Sequence, residues 1–369
     1  MPRVVISGYY GFHNIGDEAM LHAMLQALRE AVPGLEAAVL SRDPAYTARQ
    51  FGVESIPRDD LGQIVRALRK AELFISGGGG LLQDVTGPKS VVYYLGLVAL
   101  ARLLGKPVFF YAQGFGPVNT PLGKKLVKLI ANRVDAITVR DPDSRAELVA
   151  LGVNRPPIEV TADPVLGLDP GLVDLARGRT ILAGLGLGDA PVAGISVRPW
   201  KNAGDYLGVL ARVADDLVAA GWQVLLVPMH QPVDLVCCRE VAARMKARAF
   251  IFEEPADYMD ILSLTAGLDL AIGMRLHFLI FSSLFGVPPV GITYDPKVNR
   301  FLQSLGLPPG LKVEDLDYQA LSARLQDILD RREQVKAQLK ERLAPLQKEA
   351  QKNAALAAEL LVATATSNR

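Results

Sequence analysis

The sequence predicts an α/β protein with two doubly wound, Rossmann-like domains that face a cleft. Short apolar runs alternate with segments of helical periodicity, which is typical of parallel sheets whose strands are joined by helices. The alternation stops near residues 161–188 and then restarts. A chain of 369 residues is also too long for one ordinary core, so two domains are expected.

The interruption sets the predicted domain bounds. We expect an N-terminal domain over residues 1–170, a linker over 171–190, a C-terminal domain over 191–345, and a helix over 346–369 that could cross back to the first domain. Pro164, Asp169-Pro170-Gly171 and the glycines from Gly184 to Gly188 favour a linker or domain edge. A charged helix is predicted from Tyr318 to Leu360, with an interruption at Pro345.

The strands and helices follow in order. The first domain should have strands at Arg3–Ser7, Ala37–Ser41, Leu73–Ser76, Pro107–Ala112 and Ala136–Val139, with helices around Ala19–Ala31, Leu61–Lys70, Val91–Leu104 and Pro121–Arg133. The second should have strands at Val192–Ser196, Val224–Pro228, Ala249–Ile251, Leu268–Ile272 and Val290–Ile292, with helices around Tyr206–Ala220, Val233–Met245, Tyr258–Thr265 and Phe278–Phe285.

Composition excludes several classes of protein. Hydrophobic residues make up 50% and charged residues 21%, with a net charge of +1, which indicates a globular chain without the basic stripe of a nucleic-acid binder. The two cysteines, Cys237 and Cys238, are adjacent and form neither a disulfide framework nor a metal site, as in a reducing cytoplasm. No signal-peptide pattern precedes the first strand. The apolar run Val91–Leu104 contains Arg102 and is too short to span a bilayer.

The stretch Gly273-Met274-Arg275-Leu276-His277 is the most informative motif. It follows a buried strand and precedes a helix, and ligands of open α/β sheets bind at such strand ends. The chain has only four histidines, so His277 is a candidate proton-transfer group. A capped core histidine is the alternative.

Further cationic side chains follow other predicted strands of the second domain. Arginine grips carboxylate or phosphate with two hydrogen bonds and lysine supplies a point charge, so the set suits a small, multiply charged anion. We predict no metal site, because no cluster of acidic and histidine residues has ligand spacing. The other members of this set are Arg198, His230 and Lys297.

Glycine-rich loops follow two strands of the first domain. In the run Gly77 to Gly80, Gly78 and Gly79 are expected to bring backbone amides close to a bound ligand, the donor of a transfer reaction. No P-loop lysine follows the run. The loop Gly8–Glu18 lacks the dinucleotide spacing and suits a neutral polyol. Its predicted acceptor-binding residues are Tyr10 and Phe12 as stacking faces, Asn14, and Asp17, which could instead be a helix cap.

Two later strand ends add Gln113, an acceptor-binding candidate, and Arg140. Arg140 either forms an ordinary surface pair with Asp141 or acts at the cleft, and we favour the second.

The ordered motifs resemble the polysaccharide pyruvyl transferase family, and its CsaB type in particular, over about Val4 to Phe301. The two-domain layout also matches that called GT-B in glycosyltransferases. The motifs are the loop Tyr10 to Glu18, the run Ser76 to Asp84, Gln113-Gly114-x-Gly116-Pro117, Arg140-Asp141, Ala162-Asp163-Pro164, Gly273-x-Arg275-x-His277 and Gly286-Val287-Pro288.

This resemblance implies an enzyme that uses phosphoenolpyruvate to build a pyruvate ketal on an N-acetylmannosamine of a lipid-linked secondary cell-wall polymer, an anchor for S-layer homology domains. Phosphoenolpyruvate would be a co-substrate, with no cofactor. His277 would be the general acid and Arg140 would meet the donor or the developing charge. The lipid-linked acceptor would bring a cytoplasmic enzyme to the inner face of the membrane, where Val91–Leu104 or the surface near Lys124, Lys125 and Lys128 could dock.

Two alternatives remain open. A nucleotide-sugar glycosyltransferase of cell-surface polysaccharide synthesis would share the architecture, but the position of its ribose-binding glutamate holds Phe281, which accepts no hydrogen bond. A non-catalytic sugar-binding protein is the second alternative, and the presence of both Arg275 and His277 argues against it.

Overall fold

The computed structural model of the protein describes residues 1–84, 87, 89–201, 203–254 and 256–367. The chain forms two compact units, each of which contains one parallel sheet. The first unit comprises Met1–Phe12, Asp17–Leu168 and Leu346–Arg369, and the second comprises His13–Gly16 and Asp169–Pro345.

The first unit contains, within the described residues, a seven-stranded parallel sheet in the order β3-β2-β1-β4-β5-β6-β7. The strands are β1 (Arg3–Ser7), β2 (Glu36–Ser41), β3 (Glu54–Pro57), β4 (Leu73–Ser76), β5 (Val108–Gln113), β6 (Ala136–Val139) and β7 (Ile158–Val160). The helices are α1 (Ile15–Ala31), α2 (Pro44–Phe51), α3 (Leu61–Lys70), α4 (Lys89–Leu103), α5 (Pro121–Ala131) and α6 (Pro142–Ala150). Strands β4 and β5 are buried along their whole length, as expected of central parallel strands.

The second unit repeats this winding with six described strands in the order β10-β9-β8-β11-β12-β13. The strands are β8 (Val192–Ser196), β9 (Gln223–Leu226), β10 (Phe250–Ile251), β11 (Leu270–Gly273), β12 (Pro289–Thr293) and β13 (Leu311–Lys312). The helices are α7 (Leu175–Gly184), α8 (Tyr206–Ala219), α9 (Val233–Arg244), α10 (Tyr258–Thr265), α11 (Leu276–Leu284), α12 (Pro296–Ser304), α13 (Tyr318–Asp330) and α14 (Arg332–Ser367). Two parallel sheets with interleaved helices confirm the predicted doubly wound α/β class.

The C-terminal helical region differs from its prediction. The expected interruption at Pro345 is wrong, because α14 continues through this proline, and the break lies instead at Arg331. The second unit nevertheless ends at Pro345 and the first resumes at Leu346. Within the first unit, the buried side chain of Asn353 bonds the hydroxyls of Thr138 (2.5 Å) and Thr161 (2.9 Å), which ties α14 to the ends of β6 and β7.

The residues expected to form a linker contain helix α7. Gly178 of this helix packs so closely on α10 that an added Cβ would lie 2.0 Å from the carbonyl oxygen of Ser263. A glycine is therefore required for the contact between the two helices.

The strand order places a topological switch point in each sheet. The order reverses between β1 and β4 in the first unit and between β8 and β11 in the second. Ligands of doubly wound sheets bind outside the carboxyl ends of the strands at such a point. The loops after β1, β4, β8 and β11 are therefore where each unit should bind a ligand.

Candidate active site

The cationic residues of the second unit follow three neighbouring strands. Arg198 comes after β8, Arg275 after β11 and Lys297 after β12, and these strands are adjacent in the sheet. The carboxyl ends of parallel strands lie on one edge of the sheet, so the fold brings the three residues to the edge that contains the switch point, with Arg198 on one side of it and Arg275 and Lys297 on the other.

Arg275 is held by a buried carboxylate that the sequence did not reveal. Its Nε and Nη2 donate to the two oxygens of Asp234 at 2.9 and 2.5 Å. The side chain of Asp234 is 0% exposed and that of Arg275 is 13% exposed. Asp234 also accepts the backbone amides of Met229 (3.2 Å) and His230 (3.1 Å). This two-pronged pair fixes the orientation of the guanidinium at the start of α11.

Tyr294 lies among the cations of this edge. The guanidinium carbon of Arg198 is 4.6 Å from the centre of the Tyr294 ring, and Nζ of Lys297 is 5.3 Å from it. Burial raises the pKa of Tyr294, but the charges of Lys297, Arg198 and Arg275 outweigh burial and the opposing charge of Asp295, so its pKa is lowered. The edge thus has a positive potential that favours a bound anion.

The loop that carries Arg198 is held by a second tyrosine. The hydroxyl of Tyr206 donates to the carbonyl of Arg198 at 3.0 Å and accepts the amide of Trp200 at 3.1 Å. Lys297 lies 3.3 Å from Asp295, the residue that caps α12. Arg198 and Lys297 are therefore both anchored close to their strand ends.

His277 lies in the first turn of α11 and packs against the chain segment 13–16, which belongs to the same unit. A Cβ added to Gly16 would lie 2.1 Å from Nδ1 of the imidazole. The segment itself is tied to the loop after β9, because Asn14 pairs with His230 and the amide of Ile15 donates to Met229 at 3.0 Å. The predicted residues Asn14, His230 and His277 are thus parts of one unit.

The ring of Phe281 is buried behind His277, at 6.4 Å between ring centres. This position, where a nucleotide-sugar glycosyltransferase would have its glutamate, is occupied by a core side chain.

Arg140 of the first unit is a buried, paired arginine and not part of a surface pair with Asp141. Its Nη1 lies 2.9 Å from Oδ2 of Asp163, and the two side chains are 7% and 5% exposed. The guanidinium rests on Gly114, where a Cβ would lie 2.5 Å from it. Asp141 instead caps α6 through the amide of Ser144.

Gln113 uses its amide nitrogen inside the fold. Nε2 donates to the carbonyl oxygens of Ser76 (3.1 Å) and Gly77, so it joins β5 to β4 at the switch-point side of the sheet. Oε1 of Gln113 and Oγ of Ser7 are buried and have no hydrogen-bond partner among the described residues. Both oxygens could accept a hydrogen bond.

The glycine run after β4 has a packing role. A Cβ at Gly78 would lie 2.6 Å from the sulfur of Met20, and Gly79 has a left-handed φ of 95°. Gly78 and Gly79 belong to the first unit, whereas Arg198, His230, Arg275 and Lys297 belong to the second. Close packing at Gly78 and the left-handed backbone at Gly79 each favour glycine, and the expected contact of these two residues with the donor stays a prediction.

Tyr10 cannot offer a stacking face, which corrects the sequence-based prediction. Its side chain is 1% exposed, and Cβ atoms at Gly8 and Gly77 would both lie 2.3 Å from it. Burial, followed by the charge of Asp17, raises its pKa well above the ordinary value. Tyr10 is therefore a core residue, and its ring fills the space beside Gly8 and Gly77.

The stacking faces of this unit come from other rings. Phe12 is partly exposed and stacks on Tyr9, with ring centres 4.0 Å apart and planes at 3°. The guanidinium of Arg58 lies 4.9 Å from the Phe12 ring and 4.2 Å from that of Tyr93. Asp17 is partly exposed in the first turn of α1, close to Gly79, and Glu18 accepts the amide of Gly11 at 2.8 Å.

The sequence therefore identified most cations but not the residues that hold them. Asp234, Asp163 and Tyr294 are the missed members. Asp163 lay in the recognised Ala162-Asp163-Pro164 motif, and Tyr294 stood three residues before Lys297. Within the described residues, no three His, Cys, Asp or Glu side chains are grouped as metal ligands, and no helix has the length and apolar character needed to cross a membrane.

Comparison with known proteins agrees with this description. The fold is that of GT-B glycosyltransferases and sugar-nucleotide epimerases. HepE of Anabaena in complex with UDP-glucose superposes over 100% of both chains at 15% identity, with a TM-score of 0.63. UDP-GlcNAc 2-epimerase of Neisseria meningitidis covers 95% of this chain and 97% of its own at 12% identity, with a TM-score of 0.65.

The two doubly wound units thus define a protein of GT-B-like architecture, and the second unit has a cation-lined edge. The chain belongs to the polysaccharide pyruvyl transferase family, whose model matches residues 14–296. It is 23% identical over 297 residues to the amylovoran biosynthesis protein AmsJ of Erwinia amylovora, a match that covers 76% of this chain and 70% of AmsJ. This membership supports an enzyme of polysaccharide pyruvylation.

Proposed function

We propose that the protein transfers pyruvate from phosphoenolpyruvate to an N-acetylmannosamine of a lipid-linked secondary cell-wall polysaccharide precursor, forming a ketal and releasing phosphate. The main support for phosphoenolpyruvate as the donor is a group of three cations around Tyr294 in the second unit, namely Arg198, Arg275 and Lys297. Phosphoenolpyruvate has a carboxylate and a phosphate, and such a donor needs several fixed cations.

The donor-binding roles follow from the geometry of each cation. Arg275 is oriented by Asp234, so its guanidinium is held at the start of α11, where it can meet a carboxylate or a phosphate. Lys297 and Arg198 add positive charge beside it. His230 is the neighbouring residue whose backbone is fixed by the same carboxylate, and we keep it as a donor-binding candidate.

The reaction begins with protonation of the donor's methylene carbon. We assign this proton to His277, while the first sugar hydroxyl bonds to the adjacent, oxocarbenium-like carbon and its proton restores the imidazole. Phosphate then leaves and a second hydroxyl closes the ketal. Arg140 is retained as the first unit's candidate for stabilising negative charge. The scheme needs no cofactor, and phosphoenolpyruvate is a co-substrate.

For the acceptor we propose the exposed and polar groups of the first loops. Phe12 and Asp17 are partly exposed, Oε1 of Gln113 can accept a hydrogen bond, and Asn14 belongs to the loop beside His277. N-acetylmannosamine, the cell-wall setting and the role in S-layer anchoring rest on the resemblance to the CsaB type.

A lipid-linked acceptor requires the enzyme to work at the inner face of the membrane. We propose that α5 docks there on anionic lipid. Its lysines Lys124, Lys125 and Lys128 are exposed, and Leu122 and Leu129 are 56% and 49% exposed beside them. A depression of about 410 Å³ joins Lys125 and Lys128 to Arg133 and Arg155, and no acidic residue lines it. Cations with exposed leucines match an anionic lipid surface.

Phosphate release from phosphoenolpyruvate tests the proposal. The wild-type protein should release phosphate only when an N-acetylmannosamine-containing acceptor is added. His277→Ala and Arg275→Ala should abolish release, whereas Arg179→Ala, an exposed arginine of α7, should not. Acceptor-independent release would contradict the proposed transfer. Absence of release together with tight binding of a uridine nucleotide sugar would favour a glycosyltransferase.

A further inference from the structure

The family match and the sequence motifs leave Tyr294 without a role. This residue follows β12 directly and stands on the same edge of the second sheet as the donor-binding cations. Its ring packs beside Trp200, with ring centres 5.0 Å apart. No described residue forms a hydrogen bond with its hydroxyl, whereas the hydroxyl of Tyr206 in the same unit makes two.

Three cations and one carboxylate are the charged groups that act on Tyr294. Arg198 lies against its ring from the loop after β8, and Lys297 lies against it from α12. Arg275, from the loop after β11, also acts on it, and Asp295 is the opposing carboxylate. These charged groups come from the elements that surround the phenol, and they favour negative charge at its oxygen.

We infer that the hydroxyl of Tyr294 contacts the phosphate of the donor and protonates it as it leaves. This inference rests on the proposed function. An anion drawn in by these three cations would come close to Tyr294, whose ring lies beside Arg198 and Lys297. The residue would then be a catalytic residue in addition to His277.

Tyr294 would lose and regain one proton in the second half of the reaction. The phenol proton passes to the oxygen that bridges carbon and phosphorus, the carbon–oxygen bond breaks, and its electron pair leaves with phosphate. The second sugar hydroxyl bonds to the same carbon, and its proton returns to the tyrosinate. Arg198, Arg275 and Lys297 stabilise the tyrosinate during this exchange. The lowered pKa of Tyr294 makes it a better proton donor than an ordinary phenol.

A tyrosinate titration in the near ultraviolet tests the contact without relying on turnover. The wild-type protein should show an ionisation step that is lost in Tyr294→Phe. The step should be retained in Tyr318→Phe, a matched control whose ring also lies beside an arginine, at 3.5 Å from Arg212. Inorganic phosphate or phosphoenolpyruvate should move the step to higher pH, since a bound anion offsets the cations. A step that neither anion moves overturns the inference.

Turnover tests the proton transfer. Tyr294→Phe should lower kcat for acceptor-dependent phosphate release by about 100-fold or more, with a smaller change in KM and an unchanged melting temperature. Tyr318→Phe should match the wild type. Unchanged kcat in Tyr294→Phe overturns the inference and leaves the proposed function intact. If the wild type itself releases no phosphate, the proposed function fails, and the titration with inorganic phosphate still decides whether Tyr294 contacts an anion.

Discussion

The imidazole of His277 lies directly on the α-carbon of Gly16, where a Cβ would be 2.1 Å from Nδ1. Nothing larger than glycine fits between the start of α1 and this histidine. Gly16, a glycine of the loop that the sequence suggested for a polyol, thus shapes the surroundings of His277.

Gly16→Ala should therefore displace His277. We expect kcat for acceptor-dependent phosphate release to fall by about 100-fold, because a shift of about 1 Å in a reacting group has that effect. Gly96→Ala is the matched control, since an added Cβ at this site in α4 meets nothing within 4 Å. Equal activity in the two variants would contradict the assignment of His277.

Asp234 should control donor affinity through Arg275. Asp234→Asn keeps the shape but weakens the two-pronged pair, so KM for phosphoenolpyruvate should rise about 10-fold, or about 1.4 kcal/mol. Asp234→Ala should lower the free energy of unfolding by about 3–5 kcal/mol, because it removes the buried carboxylate that pairs with the guanidinium of Arg275. Steady-state kinetics and urea unfolding measure the two effects. An unchanged KM in Asp234→Asn would show that Arg275 does not meet the donor.

Tyr294 should make stability depend on pH in the alkaline range. Its pKa is lowered in the folded protein, so between that value and the ordinary value of about 10 the unfolded chain binds more protons. The stabilising contribution therefore grows as pH rises through this window and disappears as pH falls through the lowered pKa. The difference in free energy of unfolding between wild type and Tyr294→Phe, measured across the window, should increase with pH. A difference in free energy of unfolding that does not change with pH would contradict the lowered pKa of Tyr294.

Asn353 should stabilise the first unit. Asn353→Leu leaves the hydroxyls of Thr138 and Thr161 without this partner, so the free energy of unfolding should fall by about 1–3 kcal/mol. Lys352→Ala, next to it but exposed and paired with Glu349 on the surface of α14, should change it by less than about 1 kcal/mol. Equal effects in a denaturant titration would rule out the buried bonds as the cause.

The lysines of α5 should determine membrane binding. Reversing the charges of Lys124, Lys125 and Lys128 to Glu should weaken sedimentation with phosphatidylglycerol vesicles by about 100-fold or more. The same reversal at Lys340, Lys348 and Lys352 of α14 changes net charge equally and should have little effect. Binding to neutral phosphatidylcholine vesicles should be weak for all variants. Equal losses in both triple variants would eliminate α5 as the docking helix.

Hydrophobic patterning predicted the fold class well, because central parallel strands such as β4 and β5 are continuous apolar runs. It missed β3, β7 and β13, which lie at sheet edges and are short and partly polar. Helices α2, α6 and α12 were also missed, although each begins with an Asp-Pro pair that caps it. That pair was the available signal.

The cations of the candidate site were predictable because they follow predicted strands. Their partners were not, since Asp234 reaches Arg275 from another helix and Asp163 reaches Arg140 from another loop. The prediction that Tyr10 stacks on a sugar was wrong. An aromatic residue in a glycine-rich loop gives the same sequence pattern whether its side chain faces a ligand or fills the core. Sequence alone does not distinguish the two.

The return of α14 to the first unit has a consequence for how the protein can be made and divided. The hydroxyls of Thr138 and Thr161 meet Asn353 only after the whole second unit has left the ribosome. The first unit therefore completes its fold last, although it is synthesised first. A fragment that ends at Leu168 lacks this helix, so separate expression of the first unit calls for Leu346 onward to be fused to it.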